Sequence, residues 1–539
     1  MSTITQTAEL PPEILQHISL YLSQHTRTVG VRVCKTWHQW ITPTLWHTVD
    51  LTEPNKWSSV AFIRLKLLFG DLAGRGNSDT TTSKELTPGE AAAKKARQGF
   101  IRNLSHIRVL KIQYGEHWYL FFDPNKGSRQ AYKLNLQELY VDLKGRRFID
   151  TLNYLTQLLS QSSQLRKISI RSEDIHPAHQ ERLFAALPKS LENLTIIFQR
   201  NNRYGEELLE EDTEARLASM ERMSRLPTSG DLDRLRALSI IGLRTNLDVL
   251  MALLKRCPAL DELNMTGVAG AINDDRLAVV VFKGSVKGWK TLGFKDTSSA
   301  VGPLTVAAIL HHAATLENLR VCSCVAFTSP LIQKLLCSAP KLKRFDMFPS
   351  YIIGEVETFV LMANDIIELG QQWACVELEM FKCMIAGVPR PDLKEKSNGR
   401  PLKDHPLHNP EQDSLERSDF VQKRVLAQLG RLTKLRELTL GLNVLKEDHI
   451  GDQELHRVER HLEGEYYDEY DVQLGKQYQC LTMALVDGLD LLKDLKCLQT
   501  LHLQKMSTRV DGEEENWMKE NWPLYRKKYR DTFWASRGH

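Results

Sequence analysis

The stretch "LENLRV", from Leu316 to Val321, places apolar side chains at its first, fourth and sixth positions and polar ones between them. Its last four residues alternate between polar and apolar, as in a β-strand with one buried face. The same phrase, or a close apolar variant, begins at Ile107, Leu136, Leu165, Leu191, Leu235, Leu260, Trp289, Leu342, Cys375, Leu435 and Leu498. The chain is therefore built from a repeated unit that contains one short strand.

The spacing of these phrases identifies the kind of repeat. Successive phrases start 29, 29, 26, 44, 25, 29, 27, 26, 33, 60 and 63 residues apart. Seven of the eleven steps lie between 25 and 29 residues, which is the period of a leucine-rich repeat. We interpret the longer steps as the same unit with insertions, at residues 199–231, 388–419 and 444–478.

Helical patterns fill most of the intervals between the phrases, as in "DTLNYLTQLLSQ" from Asp150 and "PLIQKLLCSAP" from Pro330. A strand–helix unit of this size buries its apolar face only when it is stacked on its neighbours. We therefore predict an α/β leucine-rich repeat solenoid of about 12 units over residues 100–510. The solenoid is expected to be curved, with parallel strands on its concave face and helices on its convex face.

The composition argues for a protein with a substantial core and against several classes of partner. Hydrophobic residues make up 42% of the chain and charged residues 26%, with a net charge of +4. This near balance disfavours a nucleic-acid binder, and no apolar run is long enough to span a membrane. No secretory signal or C-x-x-C pair is seen. We expect an intracellular protein, cytoplasmic or nuclear, with reduced thiols, no metal site and no cofactor.

Three residues that could suggest metal ligands have a simpler interpretation. Cys324, Cys383 and Asn443 each follow the last apolar position of a phrase by three residues. Leucine-rich repeats place Asn or Cys there, so we expect these side chains to be buried in the turn after the strand.

The N-terminal stretches "LPPEILQHISLYL", from Leu10, and "VCKTWHQW", from Val33, concentrate apolar and aromatic residues in a short segment. One predicted helix follows the prolines and carries an apolar face of Ile14, Leu15, Ile18, Tyr21 and Leu22. A second predicted helix carries Val29, Val33, Trp37 and Trp40 and ends at Pro43. A unit of about 40 residues is too small to bury this surface alone, which implies a partner.

These residues resemble the F-box motif, over about residues 8–51. Its first half is matched by Leu10, Pro11, Glu13, Ile14, Leu15, Ile18, Tyr21 and Leu22, and its second half by Val33, Cys34, Lys35, Trp37, Leu45 and Trp46. An all-helical F-box before leucine-rich repeats is similar to the substrate receptors of Skp–cullin–F-box ubiquitin ligases. The resemblance implies a Skp-family adaptor, and through it a cullin, with contacts from Leu10, Pro11, Ile14, Leu15, Ile18, Leu22, Val33, Cys34 and Trp37.

A second interpretation of the same helices stays open. A solenoid needs a cap, and the N-terminal helices could serve only as one, in a leucine-rich repeat scaffold that is no ligase component. The segment 70–98 is rich in Gly, Ser, Thr and Lys and is predicted to be a flexible linker, which favours a separate domain. A receptor needs Leu10, Pro11, Ile14 and Val33 exposed, whereas a cap buries them.

The protein substrate is expected on outward strand positions, and we selected Lys295, Arg320, Phe348 and Phe381 as candidates. The two aromatics are predicted to lie side by side, with the two cations beside them to hold an acidic or phosphorylated segment. Alternatively, the loop at residues 388–419 covers that surface and no substrate binds there.

The end of the chain and the lack of catalytic motifs complete the sequence prediction. Residues 511–539 are predicted to form a capping helix, with Trp522, Tyr525, Tyr529 and Phe533 sealing the last repeat. No P-loop, dinucleotide-binding, H-E-x-x-H or G-x-S-x-G motif is present, so we expect a non-catalytic subunit.

Overall fold

The computed structural model describes residues 11–52, 98–114, 121, 134–144, 148–173, 177–199, 232–242, 247–267, 273–295, 301–322, 327–347, 360–368, 370–389, 415–440, 481–503 and 512–525. Among these, no helix is long and apolar enough to cross a membrane. Several predicted features lie outside the described residues: Leu10, Cys324, Phe348, Asn443, residues 70–97 of the linker and most of the three insertions.

The N-terminal unit comprises Met1–Ile240 and Asp248–Ala259. It begins with three helices, α1 (Pro12–Tyr21), α2 (Gln24–Gly30) and α3 (Lys35–Trp46). Its strands are β1 (Thr48–Leu51), β2 (Val109–Tyr114), β3 (Glu138–Lys144), β4 (Lys167–Glu173), β5 (Asn193–Gln199) and β6 (Ala237–Ile241). The later helices are α4 (Phe148–Gln161), α5 (Pro177–Ala185) and α6 (Leu247–Lys255). Strands β1 to β5 pair in parallel and in chain order.

The C-terminal unit comprises Ile241–Leu247 and Leu260–His539. Its strands are β7 (Glu262–Thr266), β8 (Thr291–Lys295), β9 (Asn318–Cys322), β10 (Arg344–Asp346), β11 (Val360–Met362), β12 (Met380–Lys382), β13 (Met384–Ala386), β14 (Glu437–Thr439) and β15 (Thr500–His502). Its helices are α7 (Asp274–Lys283), α8 (Pro303–His311), α9 (Ser329–Ser338), α10 (Ala363–Glu368), α11 (Leu415–Gly430) and α12 (Gly512–Asn521). The strands pair in parallel in the order β7-β8-β9-β10-β12-β14-β15, and β11 pairs separately with β13.

The repeated phrases place their apolar residues in the core, as predicted. In the phrase from Leu316, the side chains of Leu316, Leu319 and Val321 are almost completely buried. The central apolar residues of neighbouring strands, such as Leu139, Ile168 and Leu194, stand in register, so that each one packs on the next. Trp289 replaces the first leucine of its phrase, and its indole Nε1 donates a hydrogen bond of 2.6 Å to the Val281 carbonyl. The predicted fold class, a parallel-strand repeat preceded by N-terminal helices, is confirmed.

The repeat phrase predicted from Cys375 starts three residues too early. Strand β12 aligns Phe381 with Phe345 of β10, so the phrase runs from Leu378 through Phe381 to Cys383. These three side chains are fully buried. Because side chains alternate along a strand, this shift exchanges the inward and outward positions. Phe381 is therefore a core residue, and Cys383 is the last inward residue of the phrase rather than a turn residue beyond it.

The C-terminal helix also differs from the sequence prediction. Helix α12 spans Gly512–Asn521 and ends before Pro523, because proline has no backbone N–H and cannot continue the helix. Trp522 follows the helix and is buried, and its indole Nε1 donates to the Leu492 carbonyl at 2.9 Å. Tyr525 lies beyond the helix as well, and residues 526–539 are outside the described part.

The second N-terminal helix is two helices in the structure. Helix α2 ends at Gly30, and α3 begins after Cys34, whose Sγ accepts a hydrogen bond from the Trp37 backbone N–H at 3.5 Å. Pro43 lies inside α3, which continues to Trp46, so the predicted end at Pro43 is wrong. Buried neighbours on both sides of the proline, Ile41 and Thr44, hold this turn in place against the cost of one missing hydrogen bond.

Strand β1 joins the helical segment directly to the sheet. Residues Thr48–Leu51 pair in parallel with Val109–Ile112, and the His47 carbonyl accepts hydrogen bonds from the backbone N–H groups of Arg108 and Val109. The last residues assigned to the helical motif thus form the first strand of the repeat sheet.

Candidate partner-binding surfaces

Helix α1 turns an apolar stripe away from the rest of the described chain. Ile14, Ile18 and Tyr21 follow one another at i, i+4 and i+7, and their side chains are 46%, 40% and 79% exposed. Leu20 is exposed beside them. Apolar residues at this spacing normally face a core. Their exposure therefore marks a surface available to another molecule.

The opposite side of α1 packs on α3 and holds that stripe outward. Leu15 and Ser19 are buried there, and the Ser19 hydroxyl lies 2.7 Å from the Thr44 hydroxyl. The Arg27 guanidinium donates hydrogen bonds to the carbonyls of Ser19 and Leu20, at 2.8 and 3.0 Å. These carbonyls lie at the end of α1 and have no partner within the helix, so Arg27 acts as its C-terminal cap.

Further exposed apolar residues lie near the place where α2 packs on α3. Gly30 is buried at this crossing, and a Cβ atom on it would lie 2.8 Å from Cδ1 of Ile41. Val29 and Val33, on either side of Gly30, are largely exposed, as is Cys34. We call the set Ile14, Ile18, Leu20, Tyr21, Val29 and Val33 the apolar face.

The residues predicted to contact an adaptor differ in their exposure. Exposed members are Pro11, Ile14, Ile18, Val33 and Cys34, whereas Leu22 and Trp37 are half-buried. Leu15 is only 4% exposed and packs inside the helical domain, and its contact with an adaptor stays a prediction. Leu20 and Val29 are exposed as well but were not among the predicted adaptor contacts, since neither belongs to the motif pattern.

The outward side chains of the C-terminal unit form two rows across its strands. Strand register aligns Glu262, Thr291, Asn318, Arg344 and Met380 in one row. The second row contains Asn264, Gly293, Arg320, Asp346 and Lys382. Together they line a groove of about 730 Å³, the central groove, whose full lining is Glu262, Asn264, Thr291, Leu292, Asn318, Leu319, Arg320, Lys343, Arg344, Asp346, Glu379, Met380 and Lys382.

The predicted substrate residues are not brought together as a single site. Arg320 lies in the central groove and pairs with Asp346, with 3.3 Å between the Nε and Oδ2 atoms. Lys295 is half-buried at the end of β8, one strand from Cys322 in register. The predicted aromatic pair fails because Phe381 stacks on Trp373 in the core, with ring centroids 5.6 Å apart.

Two buried cysteines of this unit, Cys322 and Cys383, do not supply reactive thiolates. Burial raises the pKa of the Cys322 thiol to about 12, against the opposing influence of Arg320 and Lys295. Burial also raises the pKa of Cys383 to about 12. Both thiols are therefore protonated at neutral pH and behave as apolar groups.

The N-terminal unit carries a smaller cluster on its outward strand positions. The ammonium groups of Lys111 and Lys167 lie 5.7 and 5.6 Å from the ring centroid of Tyr140. The Tyr140 hydroxyl donates to Glu138 at 2.6 Å, and Lys111 pairs with Asp50 at 3.2 Å. Each charged group in this cluster has a partner inside the chain, so it stabilises the sheet surface.

Comparison with known proteins supports the identification of the helical segment. Residues 7–52 match the F-box-like family model, which places an F-box-like domain over α1, α2, α3 and β1. No curated protein matches the chain significantly. Among solved structures, the crystal structure of the Rad7 and Elc1 complex in yeast is similar, with 14% identity over 61% of this chain and 90% of that chain. Its TM-score is 0.32, too low for the two folds to be compared residue by residue.

Proposed function

We propose that this protein is the substrate-recognition subunit of a Skp–cullin–F-box ubiquitin ligase. The observation that carries the proposal is the apolar face of an F-box-like domain, exposed at Ile14, Ile18 and Val33. In this role the F-box binds a Skp-family adaptor, and through it a cullin, while the repeat surface recruits a protein substrate. The chain itself is non-catalytic and acts inside the cell, in the cytoplasm or nucleus.

Physical reasoning supports an adaptor on the apolar face. Six large apolar side chains, which lie on two helices and the turn after them, are open to water. Aliphatic and aromatic residues clustered this way are typical of the central part of a protein–protein interface. A cap for the repeats would instead turn these side chains toward the sheet.

The alternative, a scaffold capped by its N-terminal helices, is favoured by one specific observation. Strand β1 pairs with β2, and Trp46 of α3 contacts Phe100 with ring centroids 5.7 Å apart. The segment therefore covers the first edge of the sheet. Because α1 presents its stripe on a different side, one domain can serve both purposes.

Co-purification with a recombinant Skp-family adaptor tests the proposal. We expect the intact chain to bind the adaptor stoichiometrically and the double variant Ile14→Asp/Ile18→Asp to lose at least about tenfold in affinity, since two charges would be buried at the interface. Val286→Asp is the matched control, because Val286 is 81% exposed in the C-terminal unit, far from α1 in sequence. Absence of binding by the intact chain, with both variants equally soluble and stable, would leave the scaffold interpretation.

A further inference from the structure

The basic side chains of the central groove differ in whether the chain already neutralises them. Four of the lining residues are basic and three are acidic. Arg320 pairs with Asp346, Lys343 pairs with Glu317 at 2.7 Å, and Lys382 pairs with Glu437 at 2.6 Å. Three of the four basic side chains in the lining therefore have an acidic partner, and Arg344 is the one for which the described residues supply none.

Arg344 forms no ion pair or hydrogen bond through its side chain with any residue that the structure describes. It is exposed on β10, between Asn318 of β9 and Met380 of β12 in register. A guanidinium presents five N–H donors in a fixed plane and binds a carboxylate through two parallel hydrogen bonds. The central groove therefore offers one guanidinium that has no ion pair within the described part of the chain.

Two amide side chains in the groove extend the donor and acceptor set. Asn264 makes no side-chain hydrogen bond to the described part of the chain, and Asn318 uses only its Nδ2, which donates to the Thr291 hydroxyl at 3.1 Å. Gly293 separates these residues and has no side chain of its own. Free amide groups of this kind pair with the backbone N–H and C=O groups of an extended chain.

The length of the groove matches a short extended segment. It reaches from Glu262 on β7 to Lys382 on β12, across four steps between neighbouring strands. Neighbouring strands lie about 4.8 Å apart, so the groove spans about 19 Å, or about six residues of extended chain.

We propose that the central groove binds an extended segment of the recruited protein through a carboxylate side chain held by Arg344, with its backbone contacting Asn264 and Asn318. The inference rests on the proposed function, because it names the kind of substrate segment that the repeat surface accepts.

The charges around Arg344 favour a carboxylate over a phosphate. Asp346 lies on the same strand, and Glu379 lines the groove at the next one. These acids repel a dianion more strongly than a single negative charge. Since the remaining cations are already paired, one guanidinium matches one carboxylate.

Peptide pools about nine residues long, with mixed flanks and a fixed central Glu, phosphoserine, Gln or Lys, test the proposal against the full-length protein. We expect the Glu pool to bind most tightly and Arg344→Gln to weaken that binding at least about tenfold, the usual effect of losing a charge-assisted pair. Arg276→Gln is the matched control, since it removes the same charge from an exposed position on α7. It is expected to leave binding unchanged.

Adaptor co-purification measured on the same preparations separates this inference from the proposed function. Tighter binding of the phosphoserine pool, no preference among the pools, or equal losses for Arg344→Gln and Arg276→Gln would each overturn the carboxylate assignment. If adaptor binding is intact in those cases, the proposed function stands. If the adaptor fails to bind while the Glu pool depends on Arg344, the groove assignment holds and the ligase role is wrong.

Discussion

Gly30 is buried where α2 packs against Ile41 and Trp37 of α3. Its Cα has no side chain, and the space is filled by Cδ1 of Ile41 and by the ring of Trp37. From helix propensity alone, a glycine at position 30 is expected to make the helix about 1 kcal/mol less stable than an alanine would. The structure gives it a packing role instead, because a larger residue would displace the Ile41 side chain that fills this space.

We therefore expect Gly30→Ala to lower stability, by about 1–3 kcal/mol, despite alanine's better helix propensity. The cause is the contact between the new methyl group and Ile41. Thermal unfolding followed by circular dichroism measures the effect. Gly99→Ala is the control, because a Cβ atom at Gly99 meets nothing within 4 Å. An unchanged midpoint for Gly30→Ala would contradict the tight crossing.

Helices of adjacent repeats are joined by the side chain of Asp274. Its carboxylate, in the first turn of α7, accepts hydrogen bonds from the backbone N–H groups of Gly302, Leu304 and Thr305 at 2.8–2.9 Å. These N–H groups lie at the N-terminus of α8 and have no partners within their own helix. Asp274 thus caps the helix of the next repeat rather than its own.

This cap makes stability depend on pH. Burial raises the pKa of Asp274, but hydrogen bonds from Thr305, Leu304 and Gly302 outweigh it and hold the pKa below the usual 3.8. A pKa lowered by folding contributes stability above the unfolded value, and this contribution is lost as pH falls through the folded value. We expect Asp274→Asn to be less stable by about 1–2 kcal/mol at pH 7, with the difference shrinking below pH 3.8.

Urea denaturation of the two proteins at several pH values between neutral and acid measures this difference. Asp275→Asn provides the matched control, since Asp275 is exposed on the same helix turn. A difference between Asp274→Asn and the natural protein that does not change with pH would argue against a charged cap.

Charges alternate along one edge of the C-terminal unit, at the residue before each strand or at its start. The row runs Asp261, Lys290, Glu317, Lys343, Glu379 and Arg436. Each member after Asp261 donates its backbone N–H to the carbonyl of the one before it, at 2.7–2.8 Å. Ion pairs join Lys290 to Asp261 and Lys343 to Glu317, both at 2.7 Å. Each exposed ion pair contributes only about 0.2–1 kcal/mol to the free energy of unfolding. The row therefore adds little to overall stability, and its alternating charges favour the observed neighbours in the sheet.

At the scale of the molecule, the F-box-like domain and the first repeats belong to one N-terminal unit. Strand β1 covers the edge of β2, whose unpaired backbone groups would otherwise be open to other strands. Under the proposed function, an adaptor bound to the apolar face would be fixed relative to the first repeats.

Removal of residues 1–52 is expected to lower the unfolding temperature and promote aggregation, because it exposes the β2 edge. Removal of residues 1–46 leaves β1 in the chain and is expected to reduce both effects. Differential scanning calorimetry and light scattering of the two shortened proteins provide the measurement. Identical behaviour of the two would show that β1 contributes nothing to the edge.

Sequence patterns located the repeat phrases but not the register of each one. At Cys375, two overlapping sets of apolar residues satisfy the same pattern, and only pairing with β10 selects Leu378, Phe381 and Cys383. The predicted aromatic site failed for that reason. Likewise, the apolar stripe of α1 was visible in the sequence, but periodicity does not say whether a stripe faces the core or water.

Local spacing was enough to predict the repeat architecture and the F-box-like segment, because buried positions recur every two residues in a strand and the motif residues follow a fixed order. Which side chains remain available to a partner depends instead on tertiary packing. The exposure of Ile14 depends on how α1 packs on α3, and the free guanidinium of Arg344 depends on which acids lie beside the other cations. Those neighbours are distant in sequence, and burial and pairing arise only when the chain brings them together.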